Sequence, residues 1–167
     1  TPTFLIEKMD ALGIKAIINL SGGYGVKLDR MLEKFSQYDP DRFIIFCNLD
    51  FSKIDDSDFS EQMVAFLSAA HAKGARGLKI FKNLGLTVKD KTGQILAIDD
   101  VRLDPVWAKA GELGMPVLIH SADPMAFFKP TDRFNERLMQ LKRHPDWSFY
   151  GAAFPKREII IEQRNRV

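Results

Sequence analysis

Four short apolar runs recur along this chain and constrain its fold more than any other feature. They cover residues 14–20, 43–49, 76–81 and 115–120. Each is rich in Ile, Leu, Val and Phe without clean alternation, which is typical of strands buried on both faces of a parallel sheet. Helical patterns separate the runs, and their starts lie about 30 to 40 residues apart, the length of a β-α-β unit with a right-handed crossover. The pattern predicts an α/β fold with a parallel sheet.

Four such units fit either a small open sheet or half of a (β/α)8 barrel, whose usual length is roughly 250 residues. The length of 167 residues favours the open sheet, whereas the two ends favour the half barrel. The chain opens directly in a helix at Thr1, and the helical pattern that begins at Pro155 stops at Val167. We predict a single domain, residues 1–167, with about four parallel βα units of a partial (β/α)8 TIM-like barrel, and expect it to be a fragment of a longer protein.

Composition excludes several classes of function. The 24 basic and 22 acidic residues are interspersed, so neither a nucleic-acid nor a membrane partner is indicated. No apolar run is long enough to cross a bilayer and no signal peptide is visible, so we expect a cytoplasmic protein with a small-molecule substrate. The single cysteine, Cys47, excludes a disulfide within one chain, and its apolar surroundings predict a buried core thiol.

Local sequence motifs predict two helix starts and one tight turn. Asp58 with Glu61 three residues later predicts a capped helix, and Asp104 before Pro105 predicts a second N-cap. The loop at residues 21–25, Ser-Gly-Gly-Tyr-Gly, lacks the spacing of a dinucleotide-binding or P-loop motif, and we interpret it as a tight turn from strand to helix.

Polar side chains gather where the predicted strands end. Because the carboxyl ends of parallel strands share one surface, they are expected on the face that holds ligands in both candidate architectures. A buried lysine or histidine there needs a partner, so a charge network or a metal is expected. The residues are Asn48, Asp50, Lys79, Lys82, His120 and Asp123.

His120 is the best candidate metal ligand, because it closes the fourth apolar run and imidazole is the commonest neutral ligand. Asp123 could orient it, and we predict Asp123 and Asn48 as substrate-binding residues. The alternative for His120 is a hydrogen bond to a backbone carbonyl. His71 and His144 each lie near a helix C-terminus, where a positive imidazole is favoured, and we interpret both as structural.

Lys79 is the candidate catalytic residue, flanked by Leu78 and Ile80 within an apolar run. Three hypotheses are compatible with a lysine at this position. The lysine snorkels to solvent, or it is a desolvated Schiff-base nucleophile, or it is carboxylated by carbon dioxide and becomes an anionic metal ligand.

Two segments resemble a known family. Residues 74–81, Gly-Ala-Arg-Gly-Leu-Lys-Ile-Phe, and residues 114–124, Gly-Met-Pro-Val-Leu-Ile-His-Ser-Ala-Asp-Pro, are similar to strands four and five of the amidohydrolase superfamily. The resemblance is to the amidohydrolase 2 type, the branch related to aminocarboxymuconate-semialdehyde decarboxylase. It extends over nearly the whole chain, with the runs beginning at Ile14 and Phe43 as strands two and three.

The resemblance implies roles for two residues. The histidine that closes strand five is a metal ligand in that family, and His120 matches its position. The lysine of strand four is a carboxylated bridging ligand in two-metal members and no ligand in many one-metal members, and Lys79 matches its position. The family's His-x-His on strand one, its histidine on strand six and its aspartate on strand eight have no counterpart here, and we expect them outside these 167 residues.

A catalytic zinc normally has three protein ligands, so the resemblance implies a chain that is inactive alone. The parent would be a metal-dependent hydrolase or decarboxylase, in which a divalent metal, expected to be zinc, lowers the pKa of bound water to about 7. The half barrel would expose two sheet edges, at the runs beginning at Ile14 and Met115, and predicts self-association or a homo-oligomer. The competing hypotheses are a Schiff-base lyase or aldolase-type barrel that uses Lys79 and a non-enzymatic open α/β domain.

Overall fold

A computed structural model describes residues 2–36, 38–39, 41–121 and 123–167. Its central feature is a four-stranded parallel sheet in the order β1-β2-β3-β4. The strands are β1 Ile17–Asn19, β2 Phe43–Cys47, β3 Gly77–Ile80 and β4 Val117–Ile119. In the parallel ladders Ile17 pairs with Phe43, and Phe46 pairs with Gly77. The prediction of an α/β fold built from about four parallel βα units is confirmed.

Six α-helices accompany the strands in the described residues. One precedes β1, one follows each of the first three strands, and two follow β4. They are α1 Pro2–Ala11, α2 Val26–Ser36, α3 Phe59–Ala72, α4 Asp104–Glu112, α5 Leu138–Arg143 and α6 Arg157–Arg166. None of them is long and apolar enough to cross a membrane.

The chain divides into two compact units. Unit 1 comprises Thr1–Ile80 and Pro105–Leu118, and unit 2 comprises Phe81–Asp104 and Ile119–Val167. Unit 1 therefore contains β1 to β3, most of β4 and nearly all of α4. The central strands β2 and β3 are the most buried, because helices cover them, and their apolar side chains form the core of this unit with Met9, Leu28, Phe59, Met63, Leu67, Val106 and Ala110.

One glycine of unit 1 is required by the packing of the sheet. A Cβ placed on Gly77 would lie 2.3 Å from Cζ of Phe46, its partner in the ladder. The phenyl ring of Phe46 is buried and takes the space that a side chain at position 77 would fill. Gly77 therefore lets an aromatic ring lie flat across β3 in the core.

Unit 2 has its own core and its own polar ties. Its buried apolar side chains include Leu84, Leu86, Leu96, Ile98, Leu103, Phe127, Leu141, Phe149 and Ile160. Helix α6 is tied to the segment before α4, because the Gln163 side chain accepts a hydrogen bond from the Ile98 backbone and Arg166 Nε lies 2.5 Å from Asp99 Oδ2. The C-terminal helix is thus a fixed part of unit 2.

One predicted helix start is confirmed and the other is displaced by one residue. Asp58 precedes α3 as predicted, although its side chain makes no capping hydrogen bond. Asp104 is itself helical, at φ −52° and ψ −45°, because a 3-10 turn at Val101–Leu103 runs directly into α4. Asp100 caps that turn instead, and its side chain accepts a hydrogen bond from Arg102 N at 3.0 Å.

Candidate functional site

Unit 1 places Asn48 and Lys79 at the carboxyl ends of β2 and β3. The Asn48 amide joins three neighbouring segments: its Oδ1 accepts from Gly23 N at 2.8 Å, and its Nδ2 donates to Leu20 O at 3.2 Å and to Lys79 O at 3.1 Å. Both amide protons are therefore used on backbone carbonyls. The side chain acts as a brace across the strand ends, and its predicted role in substrate binding stays a prediction.

The loop at residues 21–25 is the tight turn that its glycines predict. Gly22 donates its N–H to Phe46 O at 3.1 Å, and a Cβ at this position would lie 2.3 Å from the same oxygen. Gly23 has φ +89°, a left-handed value that favours glycine. The loop packs its backbone directly against the end of β2 and presents Gly23 to Asn48.

The side chain of Lys79 is buried, with 4% of its surface exposed. Its Nζ donates to Ile80 O at 2.7 Å and to Leu118 O at 3.4 Å. Burial lowers the pKa of Lys79, because the apolar surroundings penalise the charged ammonium. The reading in which Lys79 snorkels to solvent is therefore wrong, because the amine ends against backbone carbonyls instead of reaching water.

Asp123 is the centre of a polar cluster in unit 2. Its carboxylate is 8% exposed and has two partners: Oδ1 lies 2.9 Å from His120 Nε2, and Oδ2 lies 2.9 Å from Lys82 Nζ. We call these three residues the Asp123 cluster. The predicted contact between His120 and Asp123 is present, and Lys82, which the sequence placed on the same surface, joins it.

The hydrogen bond to Asp123 fixes the tautomer of the His120 ring. A carboxylate only accepts hydrogen bonds, so Nε2 carries the proton that it donates to Asp123. In the neutral ring Nδ1 then holds a lone pair, and no described residue donates to it. With 44% of its side chain exposed, His120 presents that lone pair for a proton or a cation.

Further groups position the cluster from within unit 2. Lys82 Nζ lies over two aromatic rings, 5.0 Å from the centroid of Phe149 and 5.8 Å from that of Trp147. Arg157 Nε donates to the backbone oxygen of Asp123 at 3.0 Å. Arg157 cannot be identified from the sequence, because 34 residues separate it from Asp123 and no spacing pattern connects them.

The described residues do not fit a complete metal centre. They contain no group of three His, Cys, Asp or Glu side chains placed to hold an ion. His120 offers Nδ1, and Asp123 Oδ2 is buried with no hydrogen bond from the described part of the chain, although Lys82 faces it as an ion pair. One imidazole and one neutralised carboxylate are fewer than the three protein ligands of a catalytic zinc site.

The chain resembles proteins of known structure in its fold. Two crystal structures share this fold: 2,6-dihydroxybenzoate decarboxylase from Rhizobium, and 2,6-dihydroxybenzoate decarboxylase complexed with 2,6-dihydroxybenzoate. Each aligns with a TM-score of 0.54 and 20% sequence identity, over 96% of this chain and 48% of the decarboxylase chain. No family model and no curated protein matches. The chain therefore spans about half the length of these structures, and the likeness establishes its fold as part of a (β/α)8 barrel.

Proposed function

We propose that this chain is part of a decarboxylase or hydrolase of the amidohydrolase superfamily that acts on a small carboxylate or carbonyl substrate. The observation that carries the proposal is the fold likeness, because 96% of the chain aligns with about half of a decarboxylase of known structure. The resemblance of residues 74–81 and 114–124 to strands four and five of the superfamily supports the same assignment. We propose that the chain lies within a longer polypeptide.

The Asp123 cluster supports a role in binding and proton transfer. Asp123 holds the His120 ring in one tautomer, and the Nδ1 lone pair is then placed to accept a proton or to coordinate an ion. The Lys82 side chain is one-third exposed and its ammonium is held over aromatic rings, an arrangement suited to bind a substrate carboxylate. The predicted role of Asp123 in substrate binding stays a prediction, because its Oδ2 is buried and faces Lys82 Nζ.

We also propose His120 as the ligand that this chain contributes to a divalent-metal centre, with zinc expected from the resemblance. The remaining ligands have to come from polypeptide outside these 167 residues. No step of the reaction is assigned to the metal, because the described residues do not assemble its site. The chain alone is expected to be inactive.

Zinc affinity tests this proposal. Calorimetric titration of the chain is expected to show weak binding through one imidazole, which His120→Ala abolishes and the matched control His71→Ala leaves unchanged. A longer polypeptide that includes the remaining strands is expected to bind zinc far more tightly and to decarboxylate or hydrolyse its substrate. Equal binding by the chain and its His120→Ala variant, or a longer polypeptide without metal affinity, contradicts the proposed role of His120.

A second candidate, a Schiff-base lyase, rests on Lys79. Its lowered pKa increases the fraction of neutral amine at neutral pH, which is the nucleophilic form. Borohydride trapping with a small aldehyde distinguishes the two functions. Labelling of Lys79 that is lost in Lys79→Met supports the lyase. If the longer polypeptide is not labelled, the result favours the metal-dependent reaction.

Self-association through the sheet edges is a separate proposal about partners. The edge strands β1 and β4 each carry one exposed apolar side chain, Ile18 at 52% and Leu118 at 43%. Among the described residues no further strand pairs with the outer side of β1 or β4, and exposed edges promote pairing with another chain. Light scattering is expected to show a dimer or larger species that Ile18→Lys reduces. A monodisperse monomer at high concentration contradicts this proposal.

A further inference from the structure

Unit 2 contains a pocket of about 480 Å³ that the proposed reaction does not use. It is bordered by the 3-10 turn Met125–Phe128, by residues 149–155 and by the first residues of α6. Its volume lies within the range of roughly 300 to 1,000 Å³ that is usual for small-molecule sites. None of the three residues of the Asp123 cluster lines it.

One wall of this pocket is aromatic. The ring centroids of Phe128 and Phe149 lie 5.5 Å apart at an interplanar angle of 46°, and those of Phe149 and Phe154 lie 5.5 Å apart at 75°. Phe149 is buried between its two neighbours, and Tyr150 adds a fourth ring to the lining. A planar ring bound here could continue the same series of tilted and edge-to-face contacts, which are favourable at centroid distances of about 4.5 to 7 Å.

The pocket also carries a positive group in a fixed position. Arg157 lines it, and the hydrogen bond from its Nε to Asp123 O anchors the guanidinium. Neither Nη group of Arg157 has a partner among the residues that the structure describes. The end of the guanidinium can therefore receive the two oxygens of a carboxylate in parallel hydrogen bonds. Lys156 adds a second cation to the lining and Glu158 an anion, which leaves a net charge of one positive unit.

We propose that this pocket binds a planar aromatic monocarboxylate, with its ring against Phe149 and Phe154 and its carboxylate on Arg157. The aromatic wall selects a flat ring over a saturated one, and the single uncompensated cation selects one negative charge. The site is separate from the Asp123 cluster, although Arg157 and Phe149 each contact one member of that cluster. Binding in this pocket requires neither metal nor turnover, so it is independent of the proposed reaction.

Three probes of similar size test the ligand class on the whole chain by ligand-observed NMR titration. Benzoate carries both the ring and the charge, benzamide keeps the ring without the charge, and cyclohexanecarboxylate keeps the charge without the aromatic ring. Benzoate is expected to bind with a Kd of about 1 mM, as befits so small a ligand, and each of the other two about tenfold more weakly. The proposal is overturned if the three probes bind with equal affinity. It is also overturned if benzoate shows no binding at concentrations far above the millimolar range.

Variants locate the binding site. Arg157→Lys keeps the charge but loses the paired donors, and is expected to weaken benzoate about tenfold while benzamide is unaffected. Phe154→Leu is expected to weaken benzoate and benzamide alike. Arg143→Gln, an exposed arginine on α5 outside the pocket, and His120→Ala are expected to bind benzoate as the unaltered chain does. Loss of benzoate binding in His120→Ala would place the ligand at the Asp123 cluster and overturn the separate site. Thermal unfolding of each variant confirms that it is folded.

Discussion

Replacement of Asp123 by asparagine tests whether its carboxylate organises the candidate site. Asparagine has nearly the same shape, so packing is preserved and the negative charge is what is lost. Its side-chain oxygen can still accept a hydrogen bond from His120 Nε2, but a neutral one, and Lys82 loses its counter-ion at 2.9 Å. The substitution therefore isolates the electrostatic part of the cluster.

The expected loss of stability follows from the burial of the three partners. Asp123 is 8% exposed, but Lys82 and His120 are 33% and 44% exposed, so water screens both interactions. A hydrogen bond to a charged group contributes roughly 1.5 to 3 kcal/mol against about 1 kcal/mol for a neutral one, and an exposed ion pair roughly 0.2 to 1 kcal/mol. After discounting for exposure we expect Asp123→Asn to lower the free energy of unfolding by about 1 to 2 kcal/mol. That corresponds to a fall in Tm of about 2 to 8 °C for a chain of this size.

Urea unfolding followed by tryptophan fluorescence can measure this loss of stability in unit 2. The chain has two tryptophans, Trp107 in unit 1 and Trp147 in unit 2, so a Trp107→Phe background reports on unit 2 alone. A double-mutant cycle with Lys82→Met should give a coupling energy of about 0.5 kcal/mol or more. Lys142→Met, an exposed lysine of α5, is the matched control and should change stability by less than about 0.5 kcal/mol.

Two results would refute this reasoning. A change below about 0.5 kcal/mol for Asp123→Asn, similar to that of the Lys142→Met control, would mean that the carboxylate does not hold the cluster together. A coupling energy of zero with Lys82→Met would mean that the ion pair does not form in solution. The first result would also remove the structural basis for the fixed tautomer of His120.

Three further predictions concern positions away from the cluster. Burial raises the pKa of the fully buried Cys47 thiol to about 11, so Ellman's reagent at pH 8 should react with it only on unfolding, and rapid reaction of the native chain would contradict its burial. Hydrogen bonds from Arg102 lower the pKa of Asp100, so Asp100→Asn should cost about 1 kcal/mol at pH 7. That cost should vanish as the pH falls below the ordinary carboxyl value and through the lowered pKa, and a cost independent of pH in urea titrations would contradict the pairing. Gly77→Ala should cost about 1 to 3 kcal/mol in urea unfolding because its Cβ meets the Phe46 ring, and Phe46→Leu should recover part of the loss.

The sequence predicts the sheet well because its central strands are buried on both faces. The runs at 43–49 and 76–81 contain β2 and β3, and nearly every side chain of these strands is buried. All four runs are longer than the strands they contain, because apolar side chains continue to pack after the backbone has left the ladder. Leu49 and Met115, at two run ends, are buried although they lie outside the strands.

Helix starts were harder to predict, because more than one aspartate can cap the same turn. Asp104 precedes a proline and has the sequence of an N-cap, yet Asp100 lies four residues earlier and can also cap. The structure uses Asp100, since the 3-10 turn that it caps continues into α4 without a break. Sequence spacing alone does not decide between two competent caps.

Some contacts of the candidate site can be predicted from local sequence spacing, whereas others depend on the tertiary structure. His120 and Asp123 are three residues apart at a strand end, so their contact could be predicted. The contact between Asp123 and Arg157 closes a loop of 34 residues and depends on where α6 begins. The aromatic wall likewise brings Phe128 to Phe149 across 21 positions, and no periodicity connects them.

The charges in unit 2 determine which kind of ligand this part of the chain can attract by itself. Asp123 is the one carboxylate of its cluster, and Lys82 neutralises it, while Arg157 adds a second cation at its backbone oxygen. With neutral His120 the four side chains carry one net positive charge, so they favour an anion over a divalent cation. A metal bound at His120 Nδ1 would therefore need carboxylates from polypeptide beyond these residues to offset that charge. A substrate carboxylate needs no such help, which is why anion binding should be measurable in this chain before any metal-dependent activity.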